Sequence, residues 1–254
     1  IVDIRVFLQG PYNATSGMMN TAVNNAGNIP LSQTFNTAPW NYPGTENVIS
    51  LPDSIVDWVL VELRDKNDNT MTLERKAGLL SKNGRVLNTD MTAGLHFTFA
   101  ENPDSFYVVV MHRNHMPVMS GMPVLLPNSG EPYDFTETIV TQPFLHNDPL
   151  PAELELGTAG SGTYGMIAGD INADGNLSYL GANNDRAYII SRIINVTGMP
   201  HLNGVVTGYY KEDINLDNQV GYLGPDNDRG IILSNLIELT GSGNLNSVYS
   251  SVVP

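Results

Sequence analysis

The sequence predicts a mainly β chain: an antiparallel β-sandwich of jelly-roll or immunoglobulin-like type over residues 1–150, then a small α-helical domain over residues 151–254. Three observations predict it. The chain carries 24 Gly and 16 Pro but only 15% charged residues, the balance of turn-rich β structure. Short alternating runs separated by turn residues recur through the first 150 residues. The remainder contains an internal repeat in which each copy is a polar loop leading into an apolar stretch of helical period.

Taken in order, residues 1–9 alternate apolar and polar in the manner of a half-buried strand. No charged, apolar leader precedes Ile1, so the sequence reads as a mature, processed chain. Residues 10–52 are rich in Asn, Thr, Pro and Gly, with a short helix expected at residues 16–26. An excursion of this length is usually a functional or interface loop. Residues 56–64 alternate around Trp58, Lys66 to Asn69 make a turn, and a second strand is expected at residues 70–77. Residues 79–87 read as a hairpin, because Asn83-Gly84 is the strongest short-range hairpin signal in the chain. Residues 95–100, 105–112 and 132–136 complete at least seven strand candidates, a spacing that favours a sandwich.

A Pro-marked segment at residues 146–151 separates the second region. There, residues 170–194 align without gaps on residues 213–237 at an offset of 43, with 13 of 25 positions identical. Helices are expected from Ala187 to Val196 and from Gly230 to Leu239, with Gly198 and Gly241 as their stops. Carboxylates and amides at alternate positions of a tight loop converge their oxygens on one point, as a hard cation such as Ca²⁺ requires. Asp170, Asn172 and Asp174 stand at loop positions one, three and five, Gly175 supplies the sharp turn, and Asn176 offers its main-chain carbonyl at seven. Asp213, Asn215, Asp217 and Gln219 repeat the pattern, with Asn218 where Gly would stand. Position twelve, normally an acid, is Gly181 and Gly224; the acids able to close the shell are Asp185 and Asp228, four residues later.

The formal charge of −14 argues against nonspecific nucleic-acid binding and against an anionic membrane surface, both of which need basic patches. The absence of Cys removes disulfides, thiolate metal sites and Cys nucleophiles. No apolar run approaches the roughly 18 residues of a membrane span. Each side of residue 150 carries −7, so the shorter C-terminal region is the more acidic per residue. Eight of its eleven acids, Asp170, Asp174, Asp185, Glu212, Asp213, Asp217, Asp226 and Asp228, lie in or beside the two loops. Two Ca²⁺ would bring −14 to about −10.

The loops, Asp-x-Asn-x-Asp-Gly in the first copy, resemble dockerin-type calcium loops, and the resemblance spans about residues 169–242. It implies paired loop-helix units, each binding Ca²⁺; the departure at position twelve weakens any implication of cohesin binding. Residues 6–12, Pro30-Leu31-Ser32-Gln33, Pro39-Trp40-Asn41-Tyr42, residues 56–64 and residues 109–115 resemble a module of secreted surface proteins of Bacteroidetes. Those proteins are described as hemagglutinin-like or as type IX secretion cargo, and the module there precedes a dockerin-like segment. This resemblance covers nearly the whole chain and implies an extracellular or cell-surface location and a structural or adhesive role.

Catalytic signals are weak. His112-Arg113-Asn114-His115 at a strand end reads as packing and hydrogen bonding, the five His contain no His-Glu-x-x-His, and Gly160-Ser161-Gly162 lacks a nucleophile elbow. Trp40 and Tyr42 are candidate glycan contacts, whereas Trp58 alternates like a core residue. Asn13, Asn176 and Asn195 head formal N-glycan sequons, and Ser54 sits in Asp53-Ser54-Ile55, which resembles a Bacteroidetes O-glycosylation site. The sequence therefore leads to a secreted, non-enzymatic, calcium-binding protein that assembles with copies of itself into a filament or fibril. The expected assembly strand is the N-terminal one, with Ile1, Val2, Ile4, Val6 and Leu8 as its apolar face. The alternative is a carbohydrate-binding or adhesin module.

Overall fold

A computed structural model describes residues 1–99, 103–128, 131–137, 153–199, 202–251 and 253–254. The chain is mainly β, with several antiparallel sheets and few helices. Its centre is a six-stranded sheet. Strand Ile55–Asp65 pairs with Thr72–Ser81 on one side and with Asp104–Met111 on the other; Val86–Leu87 extends the first side, and Val118–Met119 and Val124–Leu126 both pair with Asp104–Met111. Five two-stranded pairings account for the other described strands, so among the described residues no second sheet of comparable size faces the first.

The central strand is not half-buried as its alternation predicts: every residue from Ile55 to Arg64 is buried. A register shift between Ile55 and Asp57 breaks the two-residue period. The second cause is residues 10–52, which pack Val23, Ile29, Phe35, Tyr42 and Val48 into the same apolar cluster as the sheet. They form a cover rather than a free loop. Trp58 is fully buried and its indole Nε1–H donates to the Pro30 carbonyl at 2.8 Å. The expected helix at residues 16–26 shrinks to Ala22–Asn25, and Met18–Met19 pairs as a strand with Tyr12–Asn13.

Residues 70–77 and the start of the hairpin merge into the single strand Thr72–Ser81, and Gly84 makes the turn at φ +86°. Gly78, inside that strand, is needed for close approach: a Cβ there would stand 2.9 Å from the Leu87 carbonyl oxygen and 2.9 Å from Leu95 Cδ2. Gly78→Val should therefore destabilise by about 1–3 kcal/mol through overpacking, read as a lowered denaturant midpoint at unchanged slope.

The N-terminal segment departs furthest from its expectation. Val2, Ile4, Val6 and Leu8 are fully buried, Ile1 is half-buried, and Asp3 is buried against Arg85, whose Nε–H donates to it at 2.7 Å. Its main chain bonds four separate segments, through Leu95, Gly84, Tyr133 with Phe135, and Met166. The regular strand within it is only Ile4–Arg5, parallel to Tyr133–Asp134. The alternation is that of a segment enclosed on both faces, its polar residues matched inside the fold. As an assembly strand it is already taken by its own chain.

A second apolar cluster lies in the C-terminal region. It repeats at the offset of 43: Ile171 with Ile214, Leu177 with Val220, Ile189 with Ile232, and Ile193 with Leu236. Along the chain the two clusters interleave: Leu156, Met166 and Leu216 belong to the first, and Met116, Leu154 and Ile167 to the second. The Pro-marked segment at 146–151 lies outside the described residues. The two helices are Asp185–Thr197 and Asp228–Thr240, two residues longer at the front than periodicity indicates, because Asn184 and Asn227 cap them and accept from the Ala187 and Gly230 N–H groups. Gly198 and Gly241 close them in the left-handed conformation, as expected. Asn184→Ala should cost about 1 kcal/mol, measurable as a lower melting temperature. Among the described residues no helix is long and apolar enough to cross a membrane.

Candidate calcium centres

The two loops adopt one backbone conformation. Left-handed residues recur in register: Ala173 and Leu216 at φ +54° and +52°, Gly175 and Asn218 at +77° and +73°, Gly181 and Gly224 at +105° and +109°, Asn183 and Asp226 at +55° and +52°. The hydrogen bonds recur too. Asp170 Oδ1 and Oδ2 accept from the N–H groups of Asp174 and Gly175, both at 3.1 Å. Asp213 accepts likewise from Asp217 at 3.1 Å and Asn218 at 2.9 Å. Asn172 donates through Nδ2 to Asp174 at 2.8 Å, and Asn215 to Asp217 at 3.1 Å.

Position twelve explains itself. A φ beyond +100° admits only glycine comfortably, and the carbonyl oxygens of Gly181 and Gly224 accept from Asn184 and Asn227 Nδ2, each at 2.6 Å. The extra residues complete a chain reversal, and the acid arrives as the first residue of the helix. Asp185 then reaches back into its loop, Oδ1 accepting from Ile171 N–H at 2.9 Å and Oδ2 from Ser178 N–H at 2.9 Å. Asp228 does the same with Ile214 at 2.6 Å and Gly221 at 2.8 Å.

These acids sit in a costly place. Asp170 is 2% exposed, Asp185 and Asp213 0%, and Asp228 1%. Burial pushes Asp170 up to about 7, with Asp185 and Asp174 adding like-charge repulsion. Burial likewise raises Asp213 to about 8, opposed by nearby Arg113 and reinforced by Asp228 and Asp217. Asp228 rises to about 7 and Asp185 to about 6, both mainly by burial. Buried carboxylates that repel one another call for a cation or for protons. Among the described residues no three His, Cys, Asp or Glu side chains are grouped to hold a metal by themselves. A Ca²⁺ loop draws on a mixed oxygen set, for which the candidates are Asp170, Asn172, Asp174 and Asp185, and Asp213, Asn215, Asp217 and Asp228, each set with a main-chain carbonyl. Asn176 and Gln219 open the strands Asn176–Ser178 and Gln219–Gly221, and the Asn176 amide oxygen accepts from Ser250 Oγ at 2.7 Å.

The second loop is sutured to the cover of residues 10–52 and to the turn after Met111, through Asn20 and Asn28, which sequence reasoning passed over, and Asn114. Asn114 Nδ2 donates to the Asp213 carbonyl at 2.6 Å, Asn20 Nδ2 to the Asn215 carbonyl at 3.2 Å, and Asn28 Nδ2 to Asn218 Oδ1 at 2.7 Å. Beside them lies a fully buried charge cluster. Asp57 accepts from Tyr209 OH at 2.7 Å and Arg113 Nε at 2.8 Å, and its Oδ2 lies 3.2 Å from His112 Nε2. Burial would raise Asp57, but Arg113 and the bonds from His112 and Tyr209 hold it well below the usual carboxylate range. His112 Nδ1 and His115 Nδ1 are 3.1 Å apart, so the chain turn after Met111 brings together rings that their spacing on a strand separates. His115 Nε2 accepts from Gly10 N–H at 3.2 Å, which puts the proton of the neutral ring on Nδ1. Burial holds both imidazoles below their usual range.

The candidate glycan contacts separate. Tyr42 is 7% exposed with its hydroxyl donating to Glu46, so its face is closed to a sugar. Trp40 is half-buried, edge-on to Phe35, and lines a cleft of about 270 Å³ with Glu62, Arg64, Arg75, Asp170 and Gly175. Of the candidate modification sites, Asn13 and Asn195 are exposed, whereas Ser54 and Asn176 are half-buried. No family model, curated protein or solved structure matches this chain.

Proposed function

We propose that this chain is a calcium-stabilised, non-enzymatic structural or adhesive protein of the cell exterior, working as a subunit that assembles with copies of itself. The finer architecture belongs to the same reading: a β-sandwich module followed by a dockerin-like pair of calcium units. The observation that carries it is the pair of superimposable loops, each burying two carboxylates against a third. Two Ca²⁺ would neutralise that repulsion, and affinity for the folded state adds directly to stability. Free Ca²⁺ at the millimolar level outside cells matches the range of extracellular calcium modules. A chain without Cys lacks disulfides, the usual extracellular staple, and metal would fill that role. The test is calorimetric titration of metal-free protein. Two Ca²⁺ per chain are expected, falling to one in Asp170→Ala and in Asp213→Ala; no Ca²⁺ uptake, or uptake unchanged by both substitutions, would overturn the reading.

A further inference from the structure

Strand addition needs a strand that can leave its own chain, and the described termini differ sharply in this respect. Residues 1–9 are enclosed and bonded to four segments. Strand Val248–Ser250 is the reverse case. It pairs only with Asn176–Ser178, over three residues, at the margin of the second core. Two side chains anchor it: Tyr249, 2% exposed, sits in the cluster that also holds Leu177 and Ile232, and Ser250 Oγ donates to Asn176 Oδ1 at 2.7 Å, while Val248 is 53% exposed. Residues 241–247, Gly-Ser-Gly-Asn-Leu-Asn-Ser, join it to the preceding helix. They are mostly exposed and held by local bonds within residues 244–247. Gly241 is left-handed and a Cβ on Gly243 would meet nothing within 4 Å, so the connection has room to straighten. Seven extended residues reach about 23 Å.

The seat of this strand is continuous with the first calcium loop. Asn176 is both loop residue and pairing residue, and the Gly175 carbonyl accepts from Ser251 N–H at 2.6 Å. Beyond it, Arg64 Nη1 on the central sheet donates to the Pro254 carbonyl at 2.7 Å. Residues 170–176, the loop that would hold the metal, therefore also carry contacts that seat the strand.

We propose that strand Val248–Ser250 is exchanged between copies of this chain: the strand of one copy seats on Asn176–Ser178 of the next, with the first calcium loop as the latch. The occupant is a second copy because the seat already fits this segment; every contact made within one chain is available between two. The proposal rests on the self-assembly reading above and names the strand and the seat that would serve it.

The absence of Cys makes the exchange directly readable. Two full-length variants, Ser178→Cys and Val248→Cys, place one thiol each on residues that face one another in the pairing. They are mixed, stripped of calcium, returned to calcium and oxidised. A disulfide dimer joining residue 178 of one chain to residue 248 of another, identified by its linked peptide, is expected to rise several-fold over a mixture kept in calcium throughout. A calcium-cycled mixture without it overturns the exchange. A second variant avoids the loop: deletion of residues 243–246 shortens the connection, so the strand cannot return to its own chain and the protein should shift from monomer to dimer or larger in light scattering. An unchanged monomer counts against the proposal. Wild-type filaments under negative stain without the mixed disulfide would sink the exchange and leave self-assembly standing. The mixed disulfide with closed dimers only would do the opposite, and neither result would sink both.

Discussion

In metal-free buffer the melting temperature is expected to fall as pH rises from 7 to 9, and saturating Ca²⁺ is expected to reduce that fall. The direction follows from the raised carboxyls. Asp213 titrates at about 8 and Asp170 and Asp228 at about 7 in the folded chain, against about 4 when unfolded. A group raised on folding stabilises fully below its unfolded value, and that contribution is lost as pH climbs through the folded value. The neutral His112 and His115 act oppositely, since they are held below their usual range and their contribution is lost on acidification through about 6.5. Burial raises Glu153, outside the loops, well above its usual range too, so the loops' share of the fall is the part that Ca²⁺ reverses. Ca²⁺ binds the ionised carboxylates and reverses the penalty; at a thousandfold excess over Kd one site adds about 4 kcal/mol. In a chain of this size that moves the melting temperature by on the order of 10 °C. Scanning calorimetry across pH with and without Ca²⁺ measures both, and a metal-free melting temperature that rises between pH 7 and 9 would contradict the loop electrostatics.

Arg113→Met should be the most damaging single substitution away from the loops. It leaves Asp57, fully buried, with its ionic partner gone, and breaking a buried pair from one side costs about 3–5 kcal/mol. It also removes the cation stacked 4.3 Å from the Tyr209 ring centroid and the bond to the Tyr210 carbonyl, both reaching into the second region. Tyr209→Phe loses one bond to Asp57 and should cost about 1–3 kcal/mol. The paired change Asp57→Leu with Arg113→Met removes both charges, so it should recover much of the loss. Urea denaturation of wild type, Asp57→Leu, Arg113→Met and the paired change forms a double-mutant cycle; if Arg113→Met falls within 1 kcal/mol of wild type, the cluster does not hold the two regions together.

The duplicated loops were legible because their information is local. A ligand pattern at positions one, three and five, a turn residue at six and a helix start are all encoded within 25 consecutive residues, and duplication made the pattern unmistakable. Position twelve was harder. The need for glycine at φ beyond +100° and the return of Asp185 and Asp228 depend on a chain reversal that no residue type announces. The buried Asp57 was missed because a two-residue period assigns it to the solvent face, and only the register shift and the cover of residues 10–52 turn that face inward. The N-terminal segment misled for the same reason: alternation identifies a strand with two chemically different faces, and Asp3 shows that the polar face can be satisfied by Arg85 inside the fold.

By itself the sequence determined the mainly β class, the duplicated loops with their acidic ligands, and helices stopped by Gly198 and Gly241, because capping, turn and ligand chemistry act over a few residues. Only the tertiary structure decided that residues 1–9 are enclosed and that Asn20, Asn28 and Asn114 bind the second loop to the 10–52 cover and the turn after Met111. It alone decided, too, that Val248–Ser250 is the lightly held strand. Those facts depend on which distant segments meet. A strand presents the same main-chain groups wherever it lies, and whether they are taken or free is settled by neighbours distant in sequence.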